Sequence, residues 1–558
     1  MIINNRKKLS ALVAGLSLIL SMSACSNGGD TAQNTSTTEQ ASLTIGKPDG
    51  TISAENNNPY AVGGSAMTLG YGYVLYEPLA ITNFVDTSKG TEPWLASKID
   101  WSSDYKSVTI TARDGVTWSD GQVFTAKDIA FTFNLFIKYP AMDTSALGIE
   151  SATANGDTAT ITFKESAFVK QAKFLGKVIL PEHIWSSVGD PTTYKNEKPI
   201  GTGPYTLKQF SSESVTLTSR KDYWKGEPEV KTLYYVSYSD NTALANALGR
   251  GDADWAQAAI PNVQTVYLDK DKEHNHYWNP AALGIDALFL NVTKKPFSNP
   301  VFRKALNMVI DRDKYVKIAQ EGNAPVIKSV TGLPSPVGDA FISSAYQGQN
   351  FSVNVDEAKK LLTDAGYTYQ ENKLIDPDGE PVTFEMSVPQ GWSNYVTGIS
   401  LIADDAKQIG VEPTLKTPDA DSWTEAIGKG DFDAVLHWTD KLDTPYGIYS
   451  PIFDGKYYTP INEVASYNFG RYQNDKATAA FNTYANTTDE SAREQALATI
   501  EQIFVEDVPA ISVVGSPFTV EYNTRKFTGW PSDNDLYGNA DPVNIDALMV
   551  LTRLKSVK

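Results

Sequence analysis

Three short stretches alternate apolar and polar residues with period two: SVTITAR at 107–113, DTATITF at 157–163 and SVTLTSR at 214–220. Their richness in Val, Ile and Thr predicts half-buried strands. Helical signals recur between and after them. The segment TAKDIAFTFNLFI (125–137) opens with Thr125 and Asp128 at capping-box spacing, so a helix is predicted to follow. Asn299-Pro300 puts proline at a first helical position, and Gly322 marks the predicted far end of one strong helix. A further helix is expected from Asn354 to Leu362, stopping at Gly366, and another from about Glu490 to Val505. Mixed α/β is the class these periods define, and no repeat of solenoid length is visible.

The first 42 residues follow a different pattern. Arg6, Lys7 and Lys8 precede Leu9 to Leu20, an apolar run too short to cross a bilayer but of the length found in export signals. Ser21-Met22-Ser23-Ala24 then lead to Cys25, the only cysteine of the 558 residues. A small residue before a lone cysteine resembles the bacterial lipobox, in which the thiol is diacylated and the peptide is cut just before it. Cys25 therefore reads as a lipid anchor; an ordinary signal peptide with a chance cysteine is the competing reading. Residues 1–24 would be the lipoprotein signal peptide. Residues 25–42, small and polar, cannot bury enough surface to offset ordering entropy, and read as a lipid-anchored tether. The body is then expected on the extracellular face of the cell membrane.

Charge narrows the partners. Removing residues 1–24 takes three of the 48 basic residues and none of the 66 acidic ones, leaving 45 against 66, a mature net charge of −21. That balance opposes nucleic acid, since phosphate neutralisation needs a basic footprint. The length exceeds what one core serves, so two or more domains are expected. Aromatic residues are abundant, with Trp 11, Tyr 28 and Phe 22.

Catalytic motifs are mostly missing from the sequence. It contains no G-x-x-x-x-G-K-[ST] and no G-x-S-x-G, and GYGYVL and GTGPYT lack the third glycine of a dinucleotide fingerprint. His274 and His276 lie in a polar run that reads as solvated surface, and His183 in LPEHIW lacks the order of a zinc helix. Asp376-Pro-Asp378-Gly379 reads as a hairpin turn. No cofactor and no metal is expected, and the chain is read as a non-enzyme; a secreted glycosidase or peptidase is the distant alternative.

A resemblance then becomes specific. The block PWLASKIDWSSDYKSVTITARDGVTWSDGQVFTAKDIAFTFN (93–134) is similar to the signature of the family 5 solute-binding proteins, extracellular receptors of peptide and nickel ABC importers. ILPEHIW (179–185), GTGPY (201–205), DYWKGEP (222–228), LGRGDADW (248–255), NPVFRKALNMVIDRD (299–313) and NVDEAKKLLTDAGY (354–367) continue it in order. Each block also has a plain structural reading. Tyr223-Trp224 and Phe131, Phe133 and Phe136 are expected in the core.

The resemblance implies a two-lobed α/β receptor of the periplasmic-binding-protein type II fold, with solute held between the lobes and passed to ABC permease subunits. One lobe would be discontinuous, residues 43–283 with 514–558, and would carry an extra subdomain at about 75–198. Residues 284–513 would form the other, and a monomer is expected. Peptide receptors of this family commonly hold the ligand's amino terminus with an aspartate three residues after a tryptophan. In DFDAVLHWTDKLDTPYGIYS (431–450) Trp438 keeps the spacing, but the anchoring position is Lys441, which would repel an ammonium group. Asp440 and Asp443 are the neighbouring substitutes. VPQGWSNY (388–395) and the ending TGWPSDNDLYG…ALMVLTRLK resemble the subgroup that binds cello- or manno-oligosaccharides. Sugar rings stack on aromatic faces while polar side chains bond the hydroxyl rim. The candidate ligand contacts are Trp392, Trp438, Asp440, Lys441, Tyr446, Tyr449, Trp530 and Trp255. The expected ligand is a β-linked oligosaccharide, with an oligopeptide as the alternative.

Overall fold

The computed structural model describes residues 41–48, 54–61 and 63–557. The expected export signal, Cys25 and all but the last two residues of the expected tether lie outside the described residues. Among the described residues no helix is long and apolar enough to cross a membrane.

The fold is two-lobed, and each lobe is built on a mixed sheet. The first sheet runs in the order Asn275–Trp278, Val520–Asn523, Trp255–Ala256, Ser42–Lys47, Thr232–Ser237, Ser214–Ser219, Tyr205–Phe210. Its central strand Ser42–Lys47 pairs in parallel with Thr232–Ser237 and Trp255–Ala256. The second sheet runs Thr414–Lys416, Glu385–Ser387, Ala434–Trp438, Ile285–Leu290, Ala510–Gly515. A third, antiparallel sheet joins Ala96–Trp101, Ser107–Ala112, Thr158–Phe163 and Ile149–Asn155.

The alternating stretches form strands Ser107–Ala112, Thr158–Phe163 and Ser214–Ser219, as their pattern predicts. The strand Ile285–Leu290 could not be found that way, because it is buried on both faces. Ile285, Ala287 and Phe289 enter one apolar cluster, Leu288 and Leu290 another. With no solvated face, no alternation is left to read.

The capping box is realised. Thr125 caps the helix Ala126–Lys138, and Asp128 accepts back from the Thr125 N–H at 2.8 Å. Asn354 caps Val355–Asp364, and Asp489 caps Glu490–Asp507. The helix expected from Pro300 to Gly322 is instead two, Pro300–Val309 and Arg312–Ala319. Ile310 is extended, and Asp311 caps the second helix by accepting from Lys314 N–H at 2.9 Å. The break is fixed by Arg312, a buried guanidinium that donates to the Ser512 carbonyl at 2.8 Å. At the DPDG turn the Asp376 carboxylate accepts from the N–H groups of Asp378 and Glu380, both at 2.9 Å. Phe133, Phe136 and Tyr223 are buried and Phe131 is half-buried.

The chain passes between the two large sheets twice. Trp278 ends a strand of the first and Ile285 begins one of the second; Gly515 ends a strand of the second and Val520 begins one of the first. These crossings are bonded to each other, Ser516 N–H to Gly284 O at 3.0 Å and Phe518 N–H to Pro280 O at 3.1 Å.

Candidate functional site

A cleft of about 410 Å³ opens beside these crossings, between the edges of both sheets. The first sheet contributes Lys47 and Tyr277 from its strands and Gln257 and Thr519 from strand ends. The second contributes Asp286, Trp438 and Gly515. Trp392, Asn394 and Tyr395 enter from the start of the helix Ser393–Lys407. Strand ends are where an α/β sheet leaves backbone and side chains unclaimed by its own layers.

Register explains the meeting of Asp286 and Trp438. They are direct partners across an antiparallel pair, so their side chains share a face. Trp438 is 42% exposed although it lies inside the cleft. Its ring is backed by His437 at 4.1 Å between centroids and flanked by Trp392 at 6.0 Å; Trp423 at 5.8 Å and Tyr395 at 5.4 Å support Trp392 in turn. Burial pushes the His437 imidazole down to about 4, so it is neutral beneath the tryptophan at neutral pH.

Lys441 is held from several sides. Its Nζ donates to the Pro517 carbonyl at 2.8 Å and lies 4.9 Å from the Phe518 ring centroid, both in the second crossing. Burial pushes its ammonium below the ordinary range, while Asp286 and then Asp541 pull it back. Burial likewise raises the carboxyls of Asp286 and Asp541, each partly offset by Lys441. Among the residues lining the cleft the charged side chains are Lys47, Lys441 and Asp286, with buried Asp541 close to both lysines. Two positive and two negative groups leave the site electrically balanced.

The sequence candidates separate into three groups. Trp392, Trp438 and Lys441 meet in the cleft. Asp440 faces the other way, into a second cavity, where its carboxylate accepts from Lys173 and from the Tyr467 hydroxyl at 3.2 Å. The other four do not line the cleft. Tyr446 and Tyr449 are buried in the core beneath the second sheet, and the Tyr449 hydroxyl is bonded to the Thr331 carbonyl at 2.7 Å. Trp255 and Trp530 are packed edge to face in the core of the first lobe; their indole N–H groups donate to the carbonyls of Ala540 and Phe527. Asp286 was missed by the sequence reading. Its signal was a single carboxylate inside an otherwise apolar strand, IDALFL. Tyr277, Tyr395 and Gln257 carry no comparable mark.

Two lobes meeting at a strand-end cleft lined by aromatic and amide side chains form the architecture of a receptor that holds its ligand between lobes. The sequence profile of the bacterial extracellular solute-binding proteins, family 5 middle region, matches residues 90–459. The probable peptide-binding protein YejA of Agrobacterium fabrum is 25% identical over 397 residues, 61% of this chain and 64% of that protein, a little under two thirds of its length. The glutathione-binding protein GsiB of Salmonella typhimurium is 25% identical over 453 residues, 78% of this chain and 82% of that protein. Among solved structures, a periplasmic oligopeptide-binding protein of an ABC transporter from Thermotoga maritima, crystallised with mannohexaose, superposes with TM-score 0.81 at 22% identity, covering 93% of this chain and 99% of that one. The chain belongs to family 5 of the bacterial extracellular solute-binding proteins, the solute-binding components of ABC importers.

Proposed function

We propose that this protein captures β-linked oligosaccharides in the cleft and delivers them to its importer without chemical change. The observation that carries this reading is Trp438, a large ring left open to solvent within the cleft and held in place by Trp392 and His437. An aromatic face of that kind suits the C–H face of a pyranose. The balanced charge around it suits a neutral ligand, and the amides of Gln257, Gln320, Asn323 and Asn394 suit a hydroxyl rim. The mannohexaose held by the Thermotoga maritima protein is consistent with this choice. The names of the curated relatives favour the alternative, an oligopeptide ligand. Lys441 opposes it, standing where an ammonium anchor would need an acid.

In this reading the crossings at 278–285 and 515–520 are the hinge, between lobe 1 (43–283 and 514–558, with its subdomain at about 75–198) and lobe 2 (284–513). Lys441 would then sense both ligand and hinge. The test is a tryptophan-fluorescence titration with cello- and manno-oligosaccharides. Sugar should perturb the emission, and Trp438→Ala should weaken binding roughly tenfold, about 1.4 kcal/mol, a modest value for an aromatic anchor. An unchanged affinity in that variant would remove the platform from the account.

Attachment through Cys25 belongs to the same proposal. A diacylglyceryl group supplies the two chains that stable anchoring takes. Cys25→Ala should release the protein into the soluble fraction; membrane retention of that variant after a salt wash would contradict the anchor.

A further inference from the structure

Asp286 is the single charged side chain of the strand Ile285–Leu290, whose other members are all apolar. The strand is central to the second sheet, paired on one side with Ala434–Trp438 and on the other with Ala510–Gly515. The pairing with Ala510–Gly515 slips between Asp286 and Ala287, a bulge of the kind that re-aims a side chain beside a site. On the other side Asp286 stands directly opposite Trp438, a register that puts Cβ atoms about 5 Å apart. A sugar ring lying on Trp438 has an edge within reach of the carboxylate.

The shell around that carboxylate is incomplete. Asp286 is only 7% exposed, yet it lines the cleft. The hydroxyls of Tyr395 and Ser516, both on the cleft wall, lie beside it, and Lys441 attracts it from further off. Among the described residues Lys441 closes no ion pair with it. The ammonium is turned to the Pro517 carbonyl at 2.8 Å, and its stem packs on Gly284. A carboxylate has about four acceptor positions, so two hydroxyls leave capacity on the cleft side. An acid buried at that point is costly to the empty receptor until more donors arrive. Burial raises the carboxyl, and the neighbouring cation and hydroxyls draw it back, the direction in which further hydroxyls would carry it.

We propose that Asp286 sets the sugar specificity of the cleft by accepting from two adjacent hydroxyls of the ring stacked on Trp438. In β-1,4-linked chains the adjacent pair free in every residue is at C2 and C3, so that pair is the one read. In gluco and manno rings alike these two oxygens are gauche, a spacing that two carboxylate oxygens match. The inference rests on the oligosaccharide reading and narrows it to ligands whose stacked residue carries both hydroxyls unsubstituted. Hydrogen bonds to a charged acceptor are roughly twice as strong as neutral ones. A buried acceptor left without its donor also rejects the analogue that lacks it far more sharply than an apolar wall rejects a missing methylene.

The experiment is calorimetry on the full chain with cellotriose and mannotriose beside their 2-deoxy, 3-deoxy and 6-deoxy forms, altered in one ring at a time. In one ring, loss of either the C2 or the C3 hydroxyl should weaken binding at least about tenfold, and loss of the C6 hydroxyl less than about threefold. Asp286→Asn keeps the shape and removes the charge. It should weaken the parent sugars at least about tenfold and shrink both penalties to within about threefold, the signature of direct coupling. If that variant does not fold, Asp286→Glu reads the same coupling: moving the acid by one methylene should change both penalties and leave the C6 response alone. A wild type that binds the parent sugars and is indifferent to the C2 and C3 hydroxyls of every ring would overturn the proposal and leave the oligosaccharide reading standing. So would a folded variant that keeps both penalties intact, since Asp286 would then act only through Tyr395 or Lys441. Silence of all the sugars, beside peptides that bind the wild type, would overturn both readings.

Discussion

Trp438 and Lys441 lie three positions apart on the segment leaving the strand Ala434–Trp438, and one turn of chain sends Asp440 into a different cavity. Both cleft residues were legible, Trp438 as a tryptophan directly after an apolar run and Lys441 as a cation at an anchoring position. Tyr446 and Tyr449 were not separable from them. Nothing local tells a ring that caps a cleft from one buried under a helix, and these two fall in the core. His437 is the residue whose burial makes a pH prediction. Its folded value, about 4, lies below the ordinary 6.5, so between those values the unfolded chain binds the extra proton and stability falls as pH falls. Asp454 and Asp546, raised by burial to about 6 and about 7, act in the opposite direction: folded protons are held there, and stability falls as pH rises from about 4. The His437 contribution is isolated by difference. His437→Gln should flatten the acid-side loss between pH 6.5 and 4 in urea titrations relative to wild type. Parallel pH profiles for the two proteins would show that His437 is not the titrating group.

At the scale of elements, caps and alternation carried most of what the sequence could say. Thr125, Asn354 and Asp489 each stop the chain from fraying by accepting from backbone N–H groups in the first turn. The helix Ala126–Lys138 matters beyond itself, because the carboxylate of Asp128 also accepts from Glu182 N–H at 3.0 Å and so ties the ILPEHIW segment to it. Thr125→Ala removes the cap's oxygen and its hydroxyl bond to Asp128 at 3.2 Å, leaves the backbone N–H bond to Asp128, and should cost about 1 kcal/mol in urea unfolding. A loss above about 3 kcal/mol would mean the box holds more than one helix end. What the pattern missed has physical causes. The helix expected from Pro300 to Gly322 breaks at Ile310 and Asp311, where Asp311 caps a new helix and buried Arg312 is drawn to a carbonyl two hundred residues away. The strands Ile285–Leu290 and Ala510–Gly515 are buried throughout and leave no polar phase to detect.

For the molecule as a whole, the family blocks announced the two-lobed fold, while the paired crossings, the balanced cleft and the second cavity depend on contacts between distant segments. Gly284 shows how tightly the crossings are built: a methyl group there would meet Lys441 Cγ at 2.6 Å. The account expects the lobes to move about those crossings. Saturating sugar should lower the radius of gyration in small-angle scattering and, at about 100 times its dissociation constant, add roughly 2.7 kcal/mol of stability if it binds only the folded state. Binding with an unchanged profile would mean a preformed site. The most direct test of the central claim is one calorimetric series on the mature protein, cello- and manno-oligosaccharides of two to six residues beside peptides of three to eight. The account predicts saturable sugar binding that strengthens with chain length, weakens in Trp438→Ala, and has no counterpart among the peptides. Micromolar peptide binding with silent sugars would contradict it.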